Sequence, residues 1–339
     1  MTNSLSKSFT ALALGAGILT LTSGIVKAQT MVIATDRQGS LMNRVGTAMA
    51  KTITDNSDMR AVVRPFAGPD AYLSSLNKGE IKLCVITASS VYLEVTGKNK
   101  SKKKHTNFRI LRSGPNVLRL GFIVRNDSNI KKVADLKSRK LTSDFGGHST
   151  LPQSIATGLA NGGITWDDVV KVPVTGVVDG VKSFGAGRTD SSWGALGMPI
   201  IRQIHAQNKV RFLSFDDSPK MVTLMRKMMF PGLQLVKIPK PIPPLGIYAP
   251  TNLITYDTYL MANKDLDDAT ASKIVAALWK GTKSFIKSSP VFRGFQQKSA
   301  VTNLPMTPYH PAAIKFYKGQ GLWTAAAISG NKNASKFAQ

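Results

Sequence analysis

The strongest constraint on the fold is a repeated alternation along the chain: short apolar runs of strand length, each followed by a stretch with apolar residues three and four apart. That alternation is the signature of a parallel α/β protein, because a strand followed by an amphipathic helix buries one face of each against the other. Met31 to Thr35 reads as the first strand, and Leu41, Val45, Ala48, Met49, Thr52 and Ile53 then fall on one helix face. Ala61 to Pro65, a short helix from Asp70 to Leu76 and the strand Ile81 to Ile86 repeat the scheme. A longer strand, Val117 to Val124, suits a crossing to a second set: Ser138 to Ser143, a helix from Leu151 to Ala160, Val169 to Val174, a helix near Asp179 to Ala186, Ser191 to Trp193, and a helix from Ile200 to Gln207.

Pro239, Pro241, Pro243 and Pro244 stiffen a segment that leads the chain back, since proline resists helix and central strand alike. Gly246 to Ala249 then reads as a strand, and Ala271 to Ile286 as a helix with Ile274, Val275, Leu278 and Phe285 inward. A chain that leaves a lobe and returns to it makes a two-stranded hinge. The expected architecture is a two-lobed, periplasmic-binding-protein-like α/β fold with an interlobe cleft. Residues 29–117 plus 246–325 form lobe 1, residues 118–245 form lobe 2, and 326–339 form a polar, flexible tail.

The N-terminus sets the compartment. Lys7, an apolar run from Phe9 to Leu21 and the small-residue stretch Val26-Lys27-Ala28 fit a secretory signal over residues 1–28. The run is shorter than the roughly 20 residues of a spanning helix. The mature protein is therefore expected to be exported to the periplasm. The lone cysteine, Cys84, forms no intrachain disulfide, and the scattered histidines His105, His148, His205 and His310 show no metal-ligand spacing, so no cofactor is expected.

Of the 339 residues, 45 are Lys or Arg against 19 Asp or Glu, a formal charge of +26. The densest cluster puts five lysines between Lys98 and Lys104, ahead of His105. Nucleic acid is an obvious partner for clustered cations. Export, the lack of aromatic residues in the cluster and the absence of a nucleic-acid motif argue against it, leaving a solvated basic loop or an anionic surface as readings.

Catalytic and phosphate-binding patterns are sparse. Gly147-His148-Ser149 places a hydroxyl beside an imidazole, but Gly-x-Ser-x-Gly is absent. Asp167-Asp168 and Asp267-Asp268 sit at helix starts, where carboxylates offset the dipole. Neither glycine-rich nucleotide fingerprint occurs.

What remains is a set of strand-to-helix turns rich in small and hydroxyl residues. They are Thr35-Asp36-Arg37-Gln38-Gly39-Ser40, Phe66-Ala67-Gly68, Thr87-Ala88-Ser89-Ser90 and Gly146-Gly147-His148-Ser149-Thr150. In α/β sheets ligands settle beyond the carboxyl ends of strands, where helix N-termini present free N–H donors. Arg37, Gly39, Ser40, Gly68, Thr87, Ser89, Gly147, Ser149 and Thr150 are accordingly the candidate ligand-binding residues, for a small anionic or zwitterionic solute. Arg37 offers a two-pronged grip on a carboxylate, or is an ordinary exposed arginine. Trp193 is either an apolar cleft wall or core.

Several segments together resemble the TAXI family of solute-binding proteins from TRAP transporters, over essentially the whole mature length. The strongest is His310-Pro311-Ala312-Ala313-Ile314-Lys315-Phe316-Tyr317-Lys318-Gly319-Gln320-Gly321-Leu322-Trp323. Others are Val124 to Ile130 with Ala134-Asp135-Leu136-Lys137, Leu76-Asn77-Lys78-Gly79-Glu80, and Gly197-Met198-Pro199. The resemblance implies an exported receptor that closes on a small organic acid or amino acid and delivers it to a TRAP-type membrane permease. It carries Gly39 and Ser40 onto the family's first-turn Gly-Gly, and Gly147, Ser149 and Thr150 onto its Gly-Ser-Gly-Thr. The chain departs at Leu41-Met42-Asn43-Arg44, where the family has Thr-Tyr-Tyr-Pro, and at Gly68-Pro69-Asp70-Ala71-Tyr72, where it has Gly-Ser-x-x-Asn. Two alternatives from other classes are an exported hydrolase using His148 and Ser149, and a basic surface-binding protein.

Overall fold

The computed structural model describes residues 30–337; the secretion signal expected over residues 1–28 lies outside them. The first unit runs β1 (Thr30–Thr35), α1 (Leu41–Asn56), β2 (Arg60–Pro65), α2 (Leu73–Asn77), β3 (Leu83–Thr87) and α3 (Ala88–Thr96). A long strand, β4 (Phe108–Arg125), leads to a second unit of β5 (Lys140–Ser143), α4 (Thr150–Asn161), β6 (Val170–Pro173), α5 (Val177–Gly185), β7 (Ser191–Ala195) and α6 (Pro199–Gln207). After β8 (Val210–Phe212), α7 (Pro219–Met228) and β9 (Gln234–Ile238), a second long strand, β10 (Thr251–Asn263), returns the chain. The helices α8 (Asp268–Lys280), α9 (Thr282–Lys287), α10 (Pro311–Gly319) and α11 (Ala325–Phe337) follow.

The mixed sheet has the order β2-β1-β3-β10-β4-β7-β5-β6, with β8 also on β4 and β9 also on β10. Parallel pairs lie toward both ends, β1 with β2 and β3, and β5 with β6 and β7. The antiparallel strands β4 and β10 join them and serve both units. Residues 108–114 of β4 pair with 258–263 of β10, whose other edge holds β3, while residues 120–124 of β4 pair with β7. The β4–β10 register shifts between Tyr256 and Thr258, the point at which β10 passes from the β9 side to the β3 side. This is the two-strand crossing expected of a hinge.

Local chemistry accounts for the helix starts that matter here. Ser40 caps α1 by accepting the Asn43 N–H at 3.0 Å, and Thr87 caps α3 by accepting the Ser90 N–H at 3.2 Å. The face of α1 expected to be apolar is buried at Leu41, Val45, Met49, Thr52 and Ile53. Thr165 caps the turn holding Asp167 and Asp168, and Asp267 caps α8, so both acid pairs are helix-start residues.

Four expectations are corrected. The strand at Gly246 to Ala249 is a turn, because Gly246 takes the left-handed conformation (φ 78°) and its N–H closes onto Pro243; the return strand is β10. The crossing strand starts at Phe108, nine residues before Val117. The helix over Ala271 to Ile286 is broken at Gly281, where a side chain would meet Thr52 at 2.4 Å. The flexible tail from residue 326 is instead largely the helix α11, held by burial of Ala327, Gly330 and Ala334. Among the described residues no helix is long and apolar enough to cross a membrane.

Candidate functional site

The carboxyl ends of β1 and β3 meet the first turns of α4 and α5 around a cavity of about 60 Å³ beside the crossing strands. The first unit supplies Asp36, Ser40, Leu41, Met42, Pro69, Ile86, Thr87 and Ser90. The second supplies His148, Thr150, Leu151, Val177, Ala195 and Met198, and the crossing strands add Leu118, Leu120 and Tyr256. Burial pushes the Tyr256 phenol up to about 12, so it stays a neutral hydroxyl. The walls are mostly apolar, with a carboxylate, an imidazole and a few hydroxyls among them, the mixture typical of small-molecule sites.

Around the cavity the two units touch directly. The Gly147 carbonyl accepts the Asp70 N–H at 3.3 Å, and Asp70 accepts the Ser149 N–H at 3.1 Å and its hydroxyl at 2.7 Å. Gly39, in the left-handed region at φ 93°, accepts the Ile200 N–H, and Arg44 donates to the Gly197 carbonyl at 3.0 Å. Arg37 pairs with Asp179 at 2.7 Å. Lys100 reaches across to the Gly146 carbonyl at 2.6 Å and pairs with Asp70 of its own unit at 3.1 Å. The two units are thus in direct contact around the cavity.

The lysine-rich loop is consequently an ordered part of the rim. Glu94, with its carboxyl raised by burial against the opposing effects of Asn99 and His105, accepts from the Asn99 side chain at 2.7 Å and pairs with His105. Its backbone carbonyl accepts the His105 N–H at 2.9 Å. Those ties close the loop and set Lys100 over the neighbouring unit.

The sequence-derived candidates divide into three groups. Ser40, Thr87 and Thr150 line the cavity. Arg37, Gly39, Gly68, Gly147 and Ser149 meet across the rim instead: a side-chain carbon on Gly68 would lie 2.3 Å from the Gly147 carbonyl and 2.6 Å from the His148 ring. Ser89 is buried behind Thr87, its hydroxyl 3.0 Å from that of Thr87. Trp193 is corrected from cleft wall to core: it is fully buried edge-on against Phe122, with ring centroids 4.9 Å apart. The Ser–His pairing of the hydrolase alternative is also absent, because the Ser149 hydroxyl donates to Asp70 and both His148 ring nitrogens lack a hydrogen-bond partner.

Sequence reasoning missed Asp36, Ser90 and Tyr256. Asp36 and Ser90 stood in two of the quoted turns; Tyr256 was hidden because its strand was not foreseen.

Replacing Arg37 by Ala is expected to leave solute affinity within about fivefold, since a partly exposed ion pair contributes little. A buried clamp on a ligand carboxylate would cost far more. Calorimetric titration with the solute released from the purified protein separates the two roles.

The family model for the NMT1-like family matches residues 33–321, and the chain belongs to that family. Its fold is shared with a solved structure described as a periplasmic transporter, at a TM-score of 0.51 and 15% identity over 92% of this chain and 98% of that one. The alkanesulfonate-binding protein SsuA from Xanthomonas axonopodis pv. citri, bound to MOPS, aligns at 0.46 and 14% identity, covering 88% and 95%. A TctC solute-binding protein from Polaromonas aligns at 0.45 and 14%, covering 81% and 89%. No curated protein matches the sequence.

Proposed function

We propose that this protein is a periplasmic solute-binding receptor of the TRAP type, of the TAXI group, which captures a small organic acid or amino acid by lobe closure and presents it to a membrane permease. The reading takes residues 29–117 with 246–325 as one lobe and 118–245 as the other. The observation that carries it is the cavity, walled by strand-end turns of both units and sealed by contacts between them. A solute held there touches both lobes, so its binding energy is available only when they meet, and that difference drives closure. The fold shared with a solved periplasmic transporter agrees with this reading, as does the secretion signal expected from the sequence.

The role is binding without turnover. A solute released by denaturation and identified by mass spectrometry is expected to reduce the radius of gyration in small-angle scattering when added back to unloaded protein, and to be recovered unchanged. Conversion of that solute, or no compaction with it, would overturn the proposal.

A further inference from the structure

We infer that the solute carries a protonated amine, held by Asp36 of one unit beside His148 of the other, and that Asp36 is the residue that selects for it. This deepens the solute-binding reading and rests on it. Asp36 is only 5% exposed, yet its carboxylate has one long hydrogen bond, 3.5 Å from the Tyr72 hydroxyl. His148 is also 5% exposed, and neither of its ring nitrogens has a hydrogen-bond partner. Its Nε2 stands 3.5 Å from Asp36 Oδ2, within ion-pair distance but with no hydrogen bond between them.

Buried polar groups are normally paired, because an unmet donor or acceptor loses its hydration for nothing in return. Here two under-used groups, one from each unit, line the same cavity. A nitrogen bearing several N–H bonds answers the acid: it donates to the carboxylate, and its positive charge offsets the negative one.

The rest of the wall argues the same way. Among the described residues no lysine or arginine lines the cavity, and the nearby Arg37 is spent on Asp179. A solute with only a carboxylate would bring a second negative charge beside Asp36, with no side-chain cation other than His148 to meet it. The first residues of α1 and α4, Leu41 and Thr150, do line the cavity, so the anionic end of a zwitterion has helix N–H groups to face. The cavity is small, about 60 Å³, which favours a compact solute.

The test compares three molecules of similar size: glycine, which has an amine and a carboxylate; ethanolamine, which has only the amine; and glycolate, which has only the carboxylate. Titration calorimetry and thermal denaturation of the unloaded protein are expected to show glycine or ethanolamine binding about 100-fold or more tightly than glycolate. Asp36→Asn, checked for native circular dichroism, is expected to abolish that preference, since a carboxamide presents no charge to the ammonium; the wild-type ranking stands even if the variant fails to fold. Glycolate binding as tightly as the two amines would overturn this inference while leaving the solute-binding reading intact. Binding of none of the three would overturn the inference, and the wider reading falls with it only if the co-purified solute also fails to compact the protein.

Discussion

Gly68→Ala is expected to hold the protein open. The added carbon would fall 2.3 Å from the Gly147 carbonyl and 2.6 Å from two atoms of the His148 imidazole. The carbonyl belongs to backbone and cannot swing aside as a flexible side chain would. Gly68 itself has φ 167°, extended backbone open to any residue, so alanine carries no conformational penalty there. The clash therefore acts across the cleft and is felt only when the two units come together. Overpacking of this kind costs roughly 1–3 kcal/mol, which lowers the closed-to-open ratio by about 5-fold to 150-fold. Distances between spin labels on α2 and α5 would lengthen, and solute affinity would fall by a similar factor. Thermal stability without solute would stay near wild type. Wild-type distances together with wild-type affinity would remove Gly68 from the closing surface.

The second large effect is of the opposite kind. Trp193→Ala is expected to destabilise the protein by about 3–5 kcal/mol, as for other large-to-small aromatic changes in a core. Trp193 is fully buried, packs edge-on against Phe122 and lies 6.2 Å from Phe215, ring centre to ring centre. Its ring also touches the place where a side chain on Gly158 would sit, so the void left by truncation has packed walls on several sides. Denaturant unfolding would record the loss. Solute affinity of the molecules that remain folded would change by no more than about threefold. A large drop in affinity with unchanged stability would instead return Trp193 to the cleft.

These two residues mark what was and was not legible in the sequence. Periodicity placed strands and helices well where an apolar run met a capped helix, as at β1–α1, because both signals are local. It failed for β10, whose thirteen residues carry Thr, Asp, Tyr and Asn among apolar ones. Such a strand is recognised by its partners, and two of the three, β3 and β4, are far away in sequence. Gly246 misled for the complementary reason: a small residue after a proline-rich stretch fits a strand start or a tight turn equally, and only φ distinguishes them.

The site shows the same limit. The four turns were found by composition, and residues from three of them, Ser40, Thr87 and Thr150 among them, do line the cavity. Which members of a turn face inward and which face the opposite rim depends on how the units dock. Arg37 and Ser149 found protein carboxylates across the gap, Asp179 and Asp70, from residues 142 and 79 positions away. No local pattern encodes that choice. Asp36 sat in plain view but ran against the expectation of an anion, although its burial with one weak hydrogen bond makes it the more informative neighbour.

The sharing of β4 and β10 between the units bears on how such proteins diversify. Each half borrows the same two ribbons of backbone, so neither can be exchanged for a foreign half without also replacing the pairing register of the other. A replacement in the short connections at the mouth of the cavity, by contrast, leaves that shared pairing untouched.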